Sequence, residues 1–175
     1  MAIWSRVFLD IDSADTALAI SQFTDCLQSS YKQYNPFNLL FGDARQLMIF
    51  SSSDGIARAV GDGVHSLSNG MPDDRWPKMQ RGIEMLSNYL SEKPVISPDD
   101  IFSILTDKAL PKPQLLPKTG VPFEAEYLLS SIYIPECSLN GMPYGTRSSS
   151  ILWVKQGSPD DSVIMKSRSY QPTIY

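Results

Sequence analysis

Phe37-Asn38-Leu39-Leu40-Phe41-Gly42-Asp43-Ala44-Arg45-Gln46-Leu47-Met48-Ile49-Phe50 is the stretch that decides the fold class of this chain. Two short apolar runs flank a Gly42-Asp43 turn pair, and such runs bounded by turn residues predict a β-hairpin. Apolar side chains occupy both faces of the runs, which predicts a sheet covered on both sides. Asn38 is the odd member. An amide inside an apolar strand reads first as a polar group satisfied at the strand edge.

Before the hairpin, Ala14, Ala17, Ile20, Phe23 and Leu27 step by three or four residues and predict a helix entered through Asp12 or Ser13. Cys26 lies beside that stripe and reads as a small core residue. After it, Ser51 to Gly55 makes a turn. Trp76, Met79, Ile83, Leu86 and Leu90 then mark a second helix, entered through Asp73-Asp74 and Pro77. Ser97-Pro98-Asp99-Asp100 opens a shorter helix through Ile101, Ile104 and Leu105, its acids suited to the helix dipole. Pro111, Pro113, Pro117 and Pro122 forbid regular structure between Lys108 and Pro122 and predict a long wrapping loop. Ser131 to Pro135, Ser149 to Lys155 and Ser162 to Ser169 read as strands, the last two joined by Gly157 to Asp161. Helix, strands, two helices and strands make an α+β domain in layers. Composition does not shift along the chain, so residues 1–175 read as a single domain.

Charge excludes one class of partner. Fifteen Lys and Arg against nineteen Asp and Glu leave a net charge of −4, whereas a nucleic-acid binder needs a basic surface. With 42% hydrophobic and 10% aromatic residues the chain can build a core, which excludes disorder. Apolar runs such as Ile151 to Val154 are far shorter than the ~20 residues of a membrane span. No secretory pattern opens the chain, so the expected location is cytoplasmic. Two cysteines, Cys26 and Cys137, make no disulfide framework, and a single histidine, His65, makes no zinc site. Phosphate-cradling glycine loops and nucleophile elbows are missing too.

Two segments place polar groups where strands or strand ends belong: His65-Ser66-Leu67-Ser68-Asn69 and Tyr144-Gly145-Thr146-Arg147-Ser148-Ser149-Ser150. An arginine entering a sandwiched sheet must be paired or face a cleft. An asparagine amide at a strand end can donate to an oxyanion. On composition alone, a satisfied structural network explains both segments better than a site does.

The same residues resemble a known family. Val64 to Asn69 followed by Trp76-Pro77-Lys78 is similar to the His-Gly-Leu-Ser-Asn … Pro-Trp-Pro-Lys block of the NRDE family, also called the transport and Golgi organisation family. Leu116 to Pro122, Glu126, Leu129 to Ile134 and Tyr144 to Ser150 resemble its C-terminal signature, and Tyr34 to Leu39 its Tyr-x-x-Phe-Asn strand. The resemblance implies a four-layer αββα sandwich of N-terminal-nucleophile hydrolase type. It also implies attack on an amide-like bond by a terminal cysteine whose own α-amine is the base. Asn69 then becomes the candidate oxyanion donor and Arg147 the charge that holds nucleophile or substrate. His65, Trp76, Tyr144 and Asn38 become candidate substrate contacts.

Residue 2 is Ala2 rather than cysteine, and the Asn-Arg-Asp-Glu motif is missing. The expectation is therefore the C-terminal portion of an NRDE-type domain, lacking its N-terminal strands and inactive alone. A missing N-terminal segment or a partner chain would complete it, since unpaired sheet edges recruit partners. Its substrate would be a small apolar or amide-bearing molecule. The alternative is a non-catalytic protein that binds or moves haem or lipid. No spaced ligand pair supports haem, so no cofactor and no metal are expected.

Overall fold

The computed structural model describes residues 16–43, 45–71, 74–139, 141–155 and 162–170. Ala2, the Asp12 and Ser13 caps, Ala14 and the Gly157 to Asp161 turn lie outside them. The described residues form a mixed α+β structure of four α-helices and small antiparallel sheets. They fall into two compact units, neither of them one continuous stretch of chain. Helix α1, the three strands after it and residues 69–71 make the first. Residues 64–68 and those from 74 to Val154, with the last strand, make the second.

In the first unit, α1 (Thr16–Ser30) buries Ala19, Ile20, Phe23 and Leu27. Ala17, expected on that face, is exposed, and Ala19 takes its place. Two serine hydroxyls close the helix, Ser29 Oγ and Ser30 Oγ donating to the Cys26 carbonyl at 2.8 and 2.7 Å. Strands β1 (Asn38–Gly42), β2 (Leu47–Ser51) and β3 (Ile56–Val60) follow as an antiparallel meander in that order. Asn38 pairs with Ser51 and Gly42 with Leu47 across the predicted hairpin. Its turn needs glycine, because Gly42 has φ +139° and a Cβ there would sit 2.0 Å from the Gln46 carbonyl oxygen. Asp43 fastens the turn by accepting from the Gln46 and Arg45 N–H groups at 2.8 Å each.

Aromatic rings fill the core between α1 and this sheet. Phe23 meets Phe41 edge-on at 5.0 Å, and Phe50 lies against both Tyr31 at 5.5 Å and Phe37 at 5.8 Å. Cys26 packs beside the cluster, as its position predicted. Coverage of the second sheet face is partial. Ile49 is buried there and Ser51 fully so, but Leu40 opposite Ile49 is 53% exposed.

In the second unit, α2 (Pro77–Glu92) starts with proline after an extended Trp76, as predicted, and buries Met79. Helix α3 (Pro98–Leu105) turns its buried side through Phe102. The two are joined by a Ser97 N–H donated to the Tyr89 hydroxyl at 2.7 Å. Lys108 to Pro122 is irregular as expected, apart from a 3-10 turn at Pro113–Leu115. A short α4 (Phe123–Leu128) follows.

Residues 131–135 are not the predicted strand. Their polar groups are taken locally and by a loop, since Ser131 Oγ donates to the Tyr133 carbonyl at 2.6 Å and the Tyr133 N–H to the Asp107 carbonyl at 2.8 Å. The chain then makes a small hairpin, β4 (Cys137–Leu139) with β5 (Met142–Tyr144), and a longer one, β6 (Ser148–Lys155) with β7 (Ser162–Ser169). No helix among the described residues is long and apolar enough to cross a membrane.

Candidate functional site

The residues after β5 have no side-chain bulk to spare. A Cβ on Gly145 would approach Glu136 Cα at 3.2 Å and the Ile134 carbonyl oxygen at 3.3 Å, so glycine lets the chain lie against residues 134–136. Thr146 then grips Ile134 twice: its N–H donates to the Ile134 carbonyl at 2.8 Å, and its Oγ1 accepts from the Ile134 N–H at 2.9 Å. One residue on, the Arg147 carbonyl accepts the Tyr170 N–H at 2.8 Å. These contacts hold three stretches of chain around a pocket of about 230 Å³, lined by Tyr133, Glu136, Pro143, Tyr144, Gly145, Thr146, Arg147 and Tyr170.

Tyr133 and Tyr170 meet edge-on at 5.0 Å in the wall of this pocket, and Lys108 Nζ lies 5.2 Å from the centre of the Tyr133 ring. The Tyr170 hydroxyl is buried with no hydrogen-bond partner among the described residues. An unpaired buried hydroxyl is costly, which makes it a prepared donor or acceptor. Arg147 itself is exposed at the rim. Its guanidinium offers the forked donors that match a carboxylate or phosphate.

Trp76 belongs to a second cluster in the same unit. Lys78 Nζ sits 5.6 Å over the Trp76 ring and donates to the Leu129 carbonyl at 3.1 Å. Burial pushes the Lys78 ammonium below its usual pKa, and the charge of Glu126 opposes that shift. Glu126 is buried on α4 and accepts both the Thr119 N–H, at 2.8 Å, and the Thr119 hydroxyl. The cluster pins the end of the proline-rich loop to α4.

Asn38 is a partner of the chain that follows the His65 to Asn69 segment. Its Nδ2 donates to the Gly70 carbonyl at 3.0 Å, within the first unit. Asn69, the residue before, is exposed in that unit, while His65 is exposed in the second. Of the six candidates, Tyr144 and Arg147 share one pocket, Trp76 joins the lysine cluster, and Asn38 steadies the peptide beside Asn69. Tyr133, Glu136 and Tyr170 line the pocket without having been singled out. Tyr170 follows a polar strand with no motif around it, so only the folded chain reveals it. Among the described residues no three His, Cys, Asp or Glu side chains gather as a metal site.

The chain belongs to the TANGO2 family, Transport and Golgi organisation 2, whose model matches residues 5–169, nearly the whole length. This is the family that the NRDE resemblance names. A search of the curated proteins gives no match.

Proposed function

We propose that this chain acts by binding a small organic monoanion in the pocket between β5 and Tyr170. The buried, unpartnered Tyr170 hydroxyl carries this reading, because a ligand oxygen would relieve it. Arg147 supplies the charge-assisted, forked hydrogen bonds that select a carboxylate or phosphate over a neutral group. Glu136 lines the same space and disfavours a second negative charge, while the tyrosine faces suit an apolar or aromatic body. At about 230 Å³ the pocket lies below the roughly 300–1,000 Å³ of drug-sized sites, which favours a compact ligand. That volume speaks against haem there. A cytoplasmic metabolite fits the reading.

Calorimetric titration with compact aryl and alkyl carboxylates and their neutral amides tests it, with phosphate monoesters, mostly dianions at pH 7, as the disfavoured comparison. We expect saturable binding of an anion, stabilisation of the fold by about 2.7 kcal/mol at a hundredfold excess over Kd, and loss of both in Arg147→Ala. Equal binding of the neutral amide, or an Arg147→Ala variant that binds as well as the parent, refutes it.

The family resemblance supports a second reading, hydrolysis of an amide-like bond within a four-layer αββα sandwich. The nucleophile would come from another segment or a partner chain, since residue 2 is Ala2. One observation favours it: the Asn38 amide holds the Gly70 carbonyl, steadying the peptide next to the proposed oxyanion donor Asn69. An amidase assay of the chain supplemented with a segment that carries a terminal cysteine, in which Asn69→Ala releases product as fast as the parent, removes this reading.

A further inference from the structure

Lys108 to Pro122 is basic in an acidic protein. The stretch holds Lys108, Lys112 and Lys118 and no acidic residue, although the chain carries a net charge of −4. It is also apolar at its surface. Leu110 and Val121 are exposed, Leu115 is 60% exposed, and Phe123, the first residue of α4, is 55% exposed. Lys112 and Lys118 are exposed as well, and neither makes an ion pair among the described residues. Exposed leucine, valine and phenylalanine alternating with lysine is the composition of a segment that settles at a lipid interface.

The loop is held ready for such a surface. At its start the Asp107 carbonyl accepts the Tyr133 N–H, and at its end Thr119 is clasped by Glu126. Four prolines fix φ along its length, so docking would order little that is not already ordered. Its apolar side chains are spread over fourteen residues, where a bilayer accepts them in any register and a protein partner would need matching pockets. Of the acids that border it, Asp107 is paired with Arg81 and Glu126 is buried against Thr119, which leaves the exposed Glu124 beside Phe123 as the opposing charge. Acids farther than a Debye length of about 10 Å are screened.

We propose that residues 108–123 form a peripheral docking surface for an anionic lipid bilayer. Leu115 and Phe123 enter the acyl boundary, and Lys112 and Lys118 meet the headgroups. The inference does not depend on the pocket or on its ligand.

Sedimentation of the full chain with phosphatidylcholine vesicles, with and without phosphatidylserine, tests it. Binding is expected only with phosphatidylserine and is expected to fall as salt is raised. Lys112→Ala with Lys118→Ala should lower the partition constant about thirtyfold, from roughly fivefold per basic residue at an anionic surface. Leu115→Ser with Phe123→Ser should abolish sedimentation, while near-ultraviolet circular dichroism confirms that both variants remain folded. Equal binding to phosphatidylcholine alone overturns the proposal. So does undiminished binding by the folded double variants, or binding lost instead on Leu152→Ser with Met165→Ser in the exposed β6–β7 hairpin. Retention on immobilised poly-glutamate with no vesicle binding overturns it in favour of an acidic protein partner.

Discussion

Tyr170→Phe should make the free protein more stable while making it a worse binder. The substitution removes one oxygen and keeps the ring that meets Tyr133 edge-on at 5.0 Å. That oxygen is buried and makes no hydrogen bond among the described residues. A hydroxyl buried without a partner costs about 1–3 kcal/mol on the protein mutational scale. The lower end of that range is taken, because the ring stays in place and only one oxygen is removed. The expected gain is about 1 kcal/mol, or a rise in Tm of about 2–4 °C for a chain of this length. Urea titration, with m unchanged between the two proteins, measures it directly. The same variant should bind the anion several-fold more weakly, because the ligand loses one hydrogen bond worth about 0.5–1.5 kcal/mol. A Tyr170→Phe protein destabilised by 1 kcal/mol or more would show that the hydroxyl is satisfied in solution and would refute the reasoning.

Two further outcomes follow from geometry already given. Gly145→Ala should cost about 1–3 kcal/mol, the usual range for overpacking, because its Cβ would meet Glu136 and Ile134 backbone atoms that cannot swing away; calorimetry should show lower stability together with lost anion binding. The Arg81–Asp107 pair, at 2.5 and 2.8 Å, holds the Asp107 carboxyl below its ordinary 3.8. Its contribution is therefore complete above that value and lost as pH falls through the depressed one. With Arg81 side-chain exposure near half, about 0.5–1 kcal/mol is expected, and Arg81→Met should flatten the acid limb of the stability curve by that amount.

The elements that announced themselves in the sequence are those with a strong local period or strong punctuation. Phe23 and Leu27 repeat at helical spacing and are buried on α1. Gly42-Asp43 turns the hairpin because only glycine fits there, a constraint visible in two letters. Where tertiary partners take the backbone hydrogen bonds, the pattern misleads. Ser131 to Pro135 has a strand's composition, yet Ser131 Oγ and the Asp107 carbonyl claim its polar groups. Strand β3 was unpredicted because Ile56-Ala57-Arg58-Ala59-Val60 is short and only weakly apolar, and it pairs on the strength of β2 beside it. Arg147 and Tyr144 stood out as polar residues leading into an apolar strand. Tyr133 and Tyr170 are 37 residues apart, and no local signal joins them.

The way the chain is shared between its two units has a consequence for dissection of the protein. Residues up to Gly63 belong to the first unit, Val64 to Ser68 to the second, Asn69 to Met71 again to the first, and the chain from Asp74 again to the second. The Asn38–Gly70 bond is one of the stitches that brings the returning segment home. No single cut in the chain releases either unit whole. A cut anywhere in the chain would therefore divide one unit or the other, and the two stand or fall as one inheritance.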